Sequence, residues 1–131
     1  MPTIYEFLKK ASEILQQSGI AEPRREAHSL LSFCLEKDKT FLIAHPEYNL
    51  TEEDEFFFYQ LISRRANREP FQYITGIQEF YGLDFEVNEN VLIPRPETEI
   101  IVENAIEILQ NSEKLRFCEV GTGSGCISVS I

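Results

Sequence analysis

Apolar residues recur with the period of an amphipathic helix through the first part of the chain. Thr3, with Glu6 three residues later, predicts a capping box, and an apolar stripe follows it: Ile4, Phe7, Ala11, Ile14 and Leu15. Gly19 stands where a left-handed C-cap belongs. Pro23 is suited to the first turn of a second helix, whose stripe is Ala27, Leu30, Leu31, Cys34 and Leu35. The pattern therefore predicts two helices before residue 36.

Two further helices are predicted before Pro70. Thr40 is the expected cap of a short turn over residues 41–44, which must stop before Pro46. Thr51 and Asp54 predict the cap of a longer helix that carries Phe56, Tyr59, Ile62 and Ala66. The four consecutive aromatics at 56–59 cannot all face one core, so at least one should be exposed or contact a partner. Short loops between four amphipathic helices predict a small antiparallel bundle.

The period changes to that of strands over residues 78–87. Tyr81-Gly82 is the expected turn, and the flanking apolar residues largely alternate with polar ones: Phe80, Leu83, Phe85 and Val87. Two prolines then flank Arg95, and Pro96 is placed to start a helix. The apolar stripe expected of that helix is Ile101, Ala105, Ile108 and Leu109. We therefore expect a half-buried hairpin, a stiff connection and one more helix.

A short apolar run over residues 115–120 precedes a glycine-rich loop. The run contains one acid, Glu119, and the loop reads Gly121-Thr122-Gly123-Ser124-Gly125, after which residues 126–131 begin a helix. Strand, glycine loop and helix in this order are typical of the start of an α/β nucleotide-binding fold. One parallel strand cannot make a sheet, so we do not expect residues 115–131 to be a folded unit by themselves.

The spacing of this loop excludes two common ligand motifs. A phosphate-binding P-loop needs lysine and a hydroxyl residue after its last glycine, where this chain has Cys126-Ile127. A dinucleotide fingerprint needs glycine at the first, third and sixth positions, and this loop has its third glycine at the fifth. The remaining pattern, acid-x-Gly-x-Gly-x-Gly, is similar to that of S-adenosylmethionine-dependent methyltransferases. Taken alone, the loop leaves an ordinary strand-to-helix turn equally open.

The net charge and the chemically reactive residues add little to the functional prediction. Twelve basic against 22 acidic residues give a net charge of −10, which disfavours direct binding of nucleic acid. The arginines at 64, 65 and 68 are more simply explained by the end of a helix. The odd number of cysteines, Cys34, Cys118 and Cys126, matches no zinc motif and predicts buried, unpaired thiols in a reducing compartment. His28 and His45 are expected to be structural. No apolar run is long enough to span a bilayer, and we expect a cytoplasmic protein without a metal site.

Three segments before the glycine loop sharpen the functional prediction. Residues 68–76 (REPFQYITG), 79–82 (EFYG) and 91–99 (VLIPRPETE) are followed some 20 residues later by GTGSG. In order and spacing they resemble the HemK/PrmC family, closely over residues 64–131 and more loosely before. Members of this family methylate the side-chain nitrogen of the glutamine in the Gly-Gly-Gln motif of peptide chain release factors. Composition and periodicity alone do not lead to this family.

The resemblance implies a domain organisation and a cofactor. Residues 1–70 would be a helical domain that docks the release factor, residues 71–95 a β-hairpin linker, and residues 96–131 the start of a Rossmann-like α/β methyltransferase domain. The loop residues Gly121, Thr122, Gly123, Ser124 and Gly125 would bind S-adenosylmethionine. Glu119 is the acid that family members place two residues before the first glycine. The segment around Arg95 and Glu97 is either a rigid linker or part of the wall of the active site.

The resemblance also indicates what this sequence does not contain. Family members continue to an acidic residue for the cofactor ribose and to an Asn-Pro-Pro-Tyr motif that holds the glutamine amide. An amide nitrogen is a poor nucleophile that must be positioned, so we expect residues 1–131 alone not to transfer methyl groups. We assign no catalytic residue within them. Two alternatives stay open: a non-catalytic module that binds release factors, and a glutamine methyltransferase that acts on a ribosomal protein.

Overall fold

The computed structural model describes residues 1–131 as two compact units, residues 1–75 and residues 76–131. The first unit is helical, with α1 (Ile4–Gln17), α2 (Pro23–Leu35), α3 (Lys39–Ala44), α4 (Glu52–Ala66) and α5 (Phe71–Thr75). The second contains an antiparallel hairpin, β1 (Ile77–Phe80) and β2 (Leu83–Glu86), a 3₁₀ turn (Pro96–Thr98), α6 (Glu99–Leu109) and α7 (Cys126–Ser130). The predicted order of helical bundle, hairpin and further helices is confirmed. No helix is long and apolar enough to cross a membrane.

The helical unit closes around one apolar core. Capping boxes at Thr3–Glu6 and Thr51–Asp54 start α1 and α4 as predicted, and Gly19 has the expected positive φ of 74° after α1. Phe7 and Phe58 meet edge to face with their ring centroids 6.1 Å apart. Fifteen buried side chains form the core: Ile4, Phe7, Leu8, Ala11, Leu15, Ile20, Ala27, Leu30, Leu31, Leu42, Leu50, Phe58, Leu61, Ile62 and Ile74.

Two details of this unit differ from the sequence prediction. The cap of α3 is Asp38, whose carboxylate accepts the backbone N–H of Phe41 at 2.7 Å, so the predicted cap at Thr40 is wrong. Asp and Thr are both good capping residues, and sequence alone placed the helix start two residues late. On α4, Phe56 was expected on the apolar stripe but is 68% exposed, whereas Phe58 is fully buried. The expectation of an exposed aromatic is confirmed at Phe56 and Phe57.

Three arginines at or just beyond the carboxyl end of α4 form structural contacts in the helical unit. Arg64 contacts the Glu69 carboxylate through Nε (2.8 Å) and Nη2 (2.5 Å). Arg65 forms a mostly buried ion pair with Glu26 of α2, with Nε and Oε2 2.5 Å apart. The Arg68 guanidinium donates to the carbonyl of Ser18 beyond α1 at 3.0 Å. These contacts give the arginines a structural role, as the sequence favoured.

The hairpin of the second unit forms where the strand period predicted it. Tyr81 and Gly82 both have positive φ, 51° and 75°, which is the geometry of a type I′ turn. Phe80 and Phe85 are buried against Val102 of α6 and Cys126 of α7, and these four residues are the core of this unit. The predicted start of the helical region at Pro96 is also confirmed.

The helix and strand that follow differ from their predictions. On α6 the buried residue is Val102, with Ile106 packed beside it, whereas Ile101 and Ile108 of the predicted stripe are 54% and 76% exposed. Residues 115–120 form no strand, because no other segment of the chain pairs with their backbone. Cys118 in this segment is exposed rather than buried as expected, and all three cysteines are unpaired.

Candidate functional site

The glycine loop joins residues 115–120 to α7 in the second unit. All three of its glycines have left-handed backbone: φ is 73° at Gly121, 56° at Gly123 and 81° at Gly125. The Gly125 N–H donates to the carbonyl of Thr122 at 2.9 Å, which closes the turn directly before α7. Residues with side chains rarely adopt such conformations, so the glycines are required by this backbone path.

The backbone of the loop is open on the side where side chains would stand. A Cβ atom added at Gly121 or Gly123 would meet no other atom within 4 Å, and one at Gly125 would meet only Val129 at 3.8 Å. Thr122 is exposed and Ser124 is half-buried. A ligand can therefore approach the main chain of this loop closely, which is the usual reason for several glycines in one binding loop.

Glu119 lies at the base of the loop and binds hydroxyl groups on both sides of it. Its Oε2 accepts a hydrogen bond from Thr122 Oγ1 at 3.3 Å and another from Ser128 Oγ of α7. The side chain is half-buried and forms no ion pair with Lys or Arg. The loop is thus closed around a carboxylate whose negative charge is not compensated by a cation of the protein.

In the segment of residues 91–99, which includes Arg95 and Glu97, the last residue forms a tertiary hydrogen bond. Arg95 and Glu97 are exposed, and whether they form a linker or an active-site wall stays a prediction. Glu99 instead has a defined contact, since its Oε1 accepts the backbone N–H of Tyr81 at 2.9 Å. The first residue of α6 thereby holds the turn of the hairpin. Sequence analysis missed this contact because nothing local links residues 18 positions apart.

An apolar hollow of about 430 Å³ lies between α6 and the residues that lead to the loop. It is lined mainly by Ile101, Ile108, Leu109, Phe117, Val120 and Ile127. Most of these side chains are exposed, and Val120 is 95% exposed. The apolar stripe predicted for α6 therefore exists, but it faces this hollow rather than the core.

A second hollow, of about 980 Å³, lies between α1 and α2 in the helical unit. Side chains of both charges line it, including Lys9, Glu13, Arg24 and Arg25. His28 also lines it, and its Nδ1 lies 2.7 Å from the carbonyl oxygen of Arg24, so Nδ1 carries the proton of this bond. No group of three or more His, Cys, Asp or Glu side chains is arranged to hold a metal ion.

Three groups of the helical unit have clearly shifted pKa values: Cys34, Arg64 and Glu69. Burial, and then the nearby Asp54 carboxylate, raise the pKa of the Cys34 thiol to about 11. The hydrogen bond from Arg64 lowers the pKa of Glu69. None of these groups lies in the glycine loop. The Cys34 shift follows from burial, and the Glu69 shift follows from its hydrogen-bonded ion pair with Arg64.

Known proteins match this chain along nearly its whole length. Residues 6–76 match the family described as "PrmC N-terminal domain". A release factor glutamine methyltransferase from Koribacter versatilis is 41% identical over 129 residues, 98% of this chain and 46% of that protein. One from Clostridium botulinum is 40% identical over 118 residues, 90% of this chain and 42% of that protein. One from Coxiella burnetii is 41% identical over 131 residues, all of this chain and 47% of that protein. The chain spans less than half the length of these curated relatives.

Proposed function

Because the chain belongs to the PrmC N-terminal domain family, we propose that it works within a release factor glutamine methyltransferase that uses S-adenosylmethionine. The helical unit binds the release factor, and the loop of residues 121–125 binds the cofactor. The methyl group is transferred to the glutamine of the Gly-Gly-Gln motif. The observation that carries the proposal is this loop, with three left-handed glycines, an open backbone and a carboxylate at its base.

The chemistry of the loop suits S-adenosylmethionine in two respects. The open main chain at Gly121 and Gly123 leaves room for a ligand. Glu119, which has no cationic partner in the protein, complements a positively charged ligand, and the cofactor has an α-ammonium and a sulfonium group. The bound cofactor would supply a methyl group on positively charged sulfur, which is reactive toward nitrogen. Residues 119–125 would hold and orient it, and no residue of 1–131 is assigned to the glutamine amide.

The helical unit has features of a surface for a protein partner. Its core is complete, yet Phe56 is 68% and Phe57 42% exposed on adjacent positions of α4. Exposed neighbouring aromatics are costly in water and are enriched at protein interfaces. We assign these two residues to the contact with the release factor.

A transfer assay on the natural protein at its full length tests the function. It is incubated with S-adenosylmethionine and a release factor, and the Gly-Gly-Gln peptide is analysed by mass spectrometry. We expect one added methyl group on the glutamine, and none when that glutamine is replaced by asparagine. Binding without transfer would favour the non-catalytic module, and transfer only to a ribosomal protein would favour the other acceptor.

A pair of glycine variants tests the cofactor loop. Gly121 and Gly82 have nearly the same φ, 73° and 75°, and an added Cβ meets nothing within 4 Å at either. Gly121→Ala and Gly82→Ala should therefore cost similar stability, about 1 kcal/mol each. We expect only Gly121→Ala to weaken binding of S-adenosylmethionine, measured by calorimetry. Equal affinities of the two variants would contradict the assignment of the loop.

A further inference from the structure

The hydrogen bond of Ser128 reaches farther along the chain than those of other hydroxyls in helices, since even Ser32 donates only to the carbonyl of Lys37, five residues later. Ser12, Thr75 and Ser130 each donate to the carbonyl four residues earlier in the chain. Such bonds satisfy the hydroxyl locally and need no tertiary partner. Ser128 instead donates to the Glu119 carboxylate, nine residues away on the other side of the glycine loop. Its proton is therefore used between two segments rather than within its helix.

The geometry at Glu119 leaves one carboxylate oxygen for a ligand. The hydroxyls of Thr122 and Ser128 both donate to Oε2, and Oε1 accepts no hydrogen bond from the protein. Both donors are neutral, so they fix the carboxylate without cancelling its charge. A Lys or Arg in their place would form an ion pair and reduce the attraction for a cationic ligand. The arrangement therefore orients the negative charge of Glu119 for a cationic ligand.

We propose that Ser128 is a positioning residue that holds Glu119 so that Oε1 binds the ammonium group of the ligand in the glycine loop. This inference rests on the proposed function, because it takes S-adenosylmethionine as that ligand. Ser128 does not itself contact the ligand. Its hydroxyl fixes the rotamer of Glu119, so the carboxylate does not pay the full entropy of ordering when the ligand binds.

Ligands with and without the ammonium group separate positioning from a merely structural role. S-adenosylhomocysteine has the ammonium group, whereas 5′-methylthioadenosine lacks the amino acid part. In the natural full-length protein, we expect Ser128→Ala to lower the affinity for S-adenosylhomocysteine about tenfold. The affinity for methylthioadenosine should fall by less than about twofold, and calorimetry measures both. Ser128→Thr, which keeps the hydroxyl, should restore the affinity. For S-adenosylmethionine in the transfer assay, KM should rise while kcat changes little.

Ser130→Ala is the matched control in the same helix. Its hydroxyl donates to the carbonyl of Cys126 and not to Glu119, so we expect unchanged affinity for both ligands. In a Glu119→Gln background, Ser128→Ala should have no further effect. Equal losses for both ligands, or equal losses in the Ser128 and Ser130 variants, would overturn the inference and leave the proposed function intact. Failure of the unaltered protein to bind S-adenosylmethionine would instead overturn the proposed function.

Discussion

The two units of this chain treat their apolar residues differently. The helical unit buries fifteen side chains in its core and leaves seven large hydrophobic residues exposed within 75 residues. The second unit buries four core side chains and exposes twelve within the remaining 56 residues. Its charge also differs, with three basic against ten acidic residues, compared with nine against twelve in the helical unit.

The difference follows from the range over which each kind of structure is satisfied. A helix forms its backbone hydrogen bonds within itself, and four or five short helices can bury one another's stripes. Residues 115–120 pair with no strand, so their backbone forms no sheet hydrogen bonds, and the hairpin that α6 packs against has only two strands. The helical unit therefore has a complete core, whereas residues 96–131 leave apolar side chains of α6 and of the segment before the glycine loop exposed.

The largest expected effect concerns two phenylalanines of α4, one buried and one exposed. Phe58→Ala removes a fully buried ring and should lower the free energy of unfolding of the helical unit by about 3–5 kcal/mol. Phe56→Ala, at a position that is 68% exposed, should change it by less than about 0.5 kcal/mol. Urea unfolding followed by circular dichroism measures both. Similar losses would mean that the core is not arranged as described.

A second pair tests the sparse core of the other unit. Val102→Ala removes a fully buried side chain from α6 and should cost about 2 kcal/mol in local stability. Ile101→Ala, at a neighbouring position that is 54% exposed, should cost less than about 1 kcal/mol. Hydrogen exchange of the α6 amides provides the measurement. An equal cost at Ile101 would show that the apolar face is covered in solution, and sedimentation would then reveal association of the chain.

The ion pairs of the helical unit provide a smaller test. Arg65 and Glu26 have side chains only 18% and 22% exposed, so Arg65→Ala leaves a partly buried carboxylate without its partner. We expect a loss of about 1–3 kcal/mol in thermal or urea unfolding. Arg25→Ala is the control, because Arg25 and Glu22 are 70% and 58% exposed and such pairs contribute less than about 1 kcal/mol. Equal effects would contradict the role of Arg65 in joining α2 to α4.

The smallest expected effect compares one cysteine from each unit. Cys34 is partly buried with a pKa raised to about 11, whereas Cys118 is exposed. Thiolates are the reactive form of cysteine. Iodoacetamide at pH 8 should therefore modify Cys34 at least about ten times more slowly than Cys118. Peptide mass spectrometry after timed labelling measures both rates. Unfolding in urea should remove the difference, and comparable rates in the folded protein would contradict the burial of Cys34.

Local signals in the sequence predicted local structure well. The two capping boxes, the C-cap glycine and the Tyr81-Gly82 turn are confirmed, because each depends on residues at most three positions apart. The choice between Thr40 and Asp38 as a cap was wrong, since both residue types serve and the spacing between them is small. On α4, Tyr59, Ile62 and Ala66 pack on the core as predicted and only Phe56 does not. The exposure of Phe56, and of Ile101 and Ile108 on α6, has another reason. A helix with apolar residues on several sides has its buried face selected by its neighbours.

The candidate site shows the same division. The glycine spacing and Glu119 could be found in the sequence, because the conformations that glycine permits are a local property. The bond from Ser128 to Glu119 and that from Tyr81 to Glu99 could not, since they join residues nine and eighteen positions apart. No periodicity or motif records such pairs.

The sequence by itself determined most of the helices, the hairpin, the order of helical bundle, hairpin and further helices, and the family. It did not indicate α5, and it predicted a strand at residues 115–120 that does not form. The properties that it determined depend on residue type and on interactions between residues close in sequence, and such interactions need no compact chain. Only the tertiary structure decided which aromatic of α4 is buried, which face of α6 meets the hairpin, and how Glu119 is held. These depend on contacts between distant segments, and their energies arise only when the segments are packed together and water is excluded.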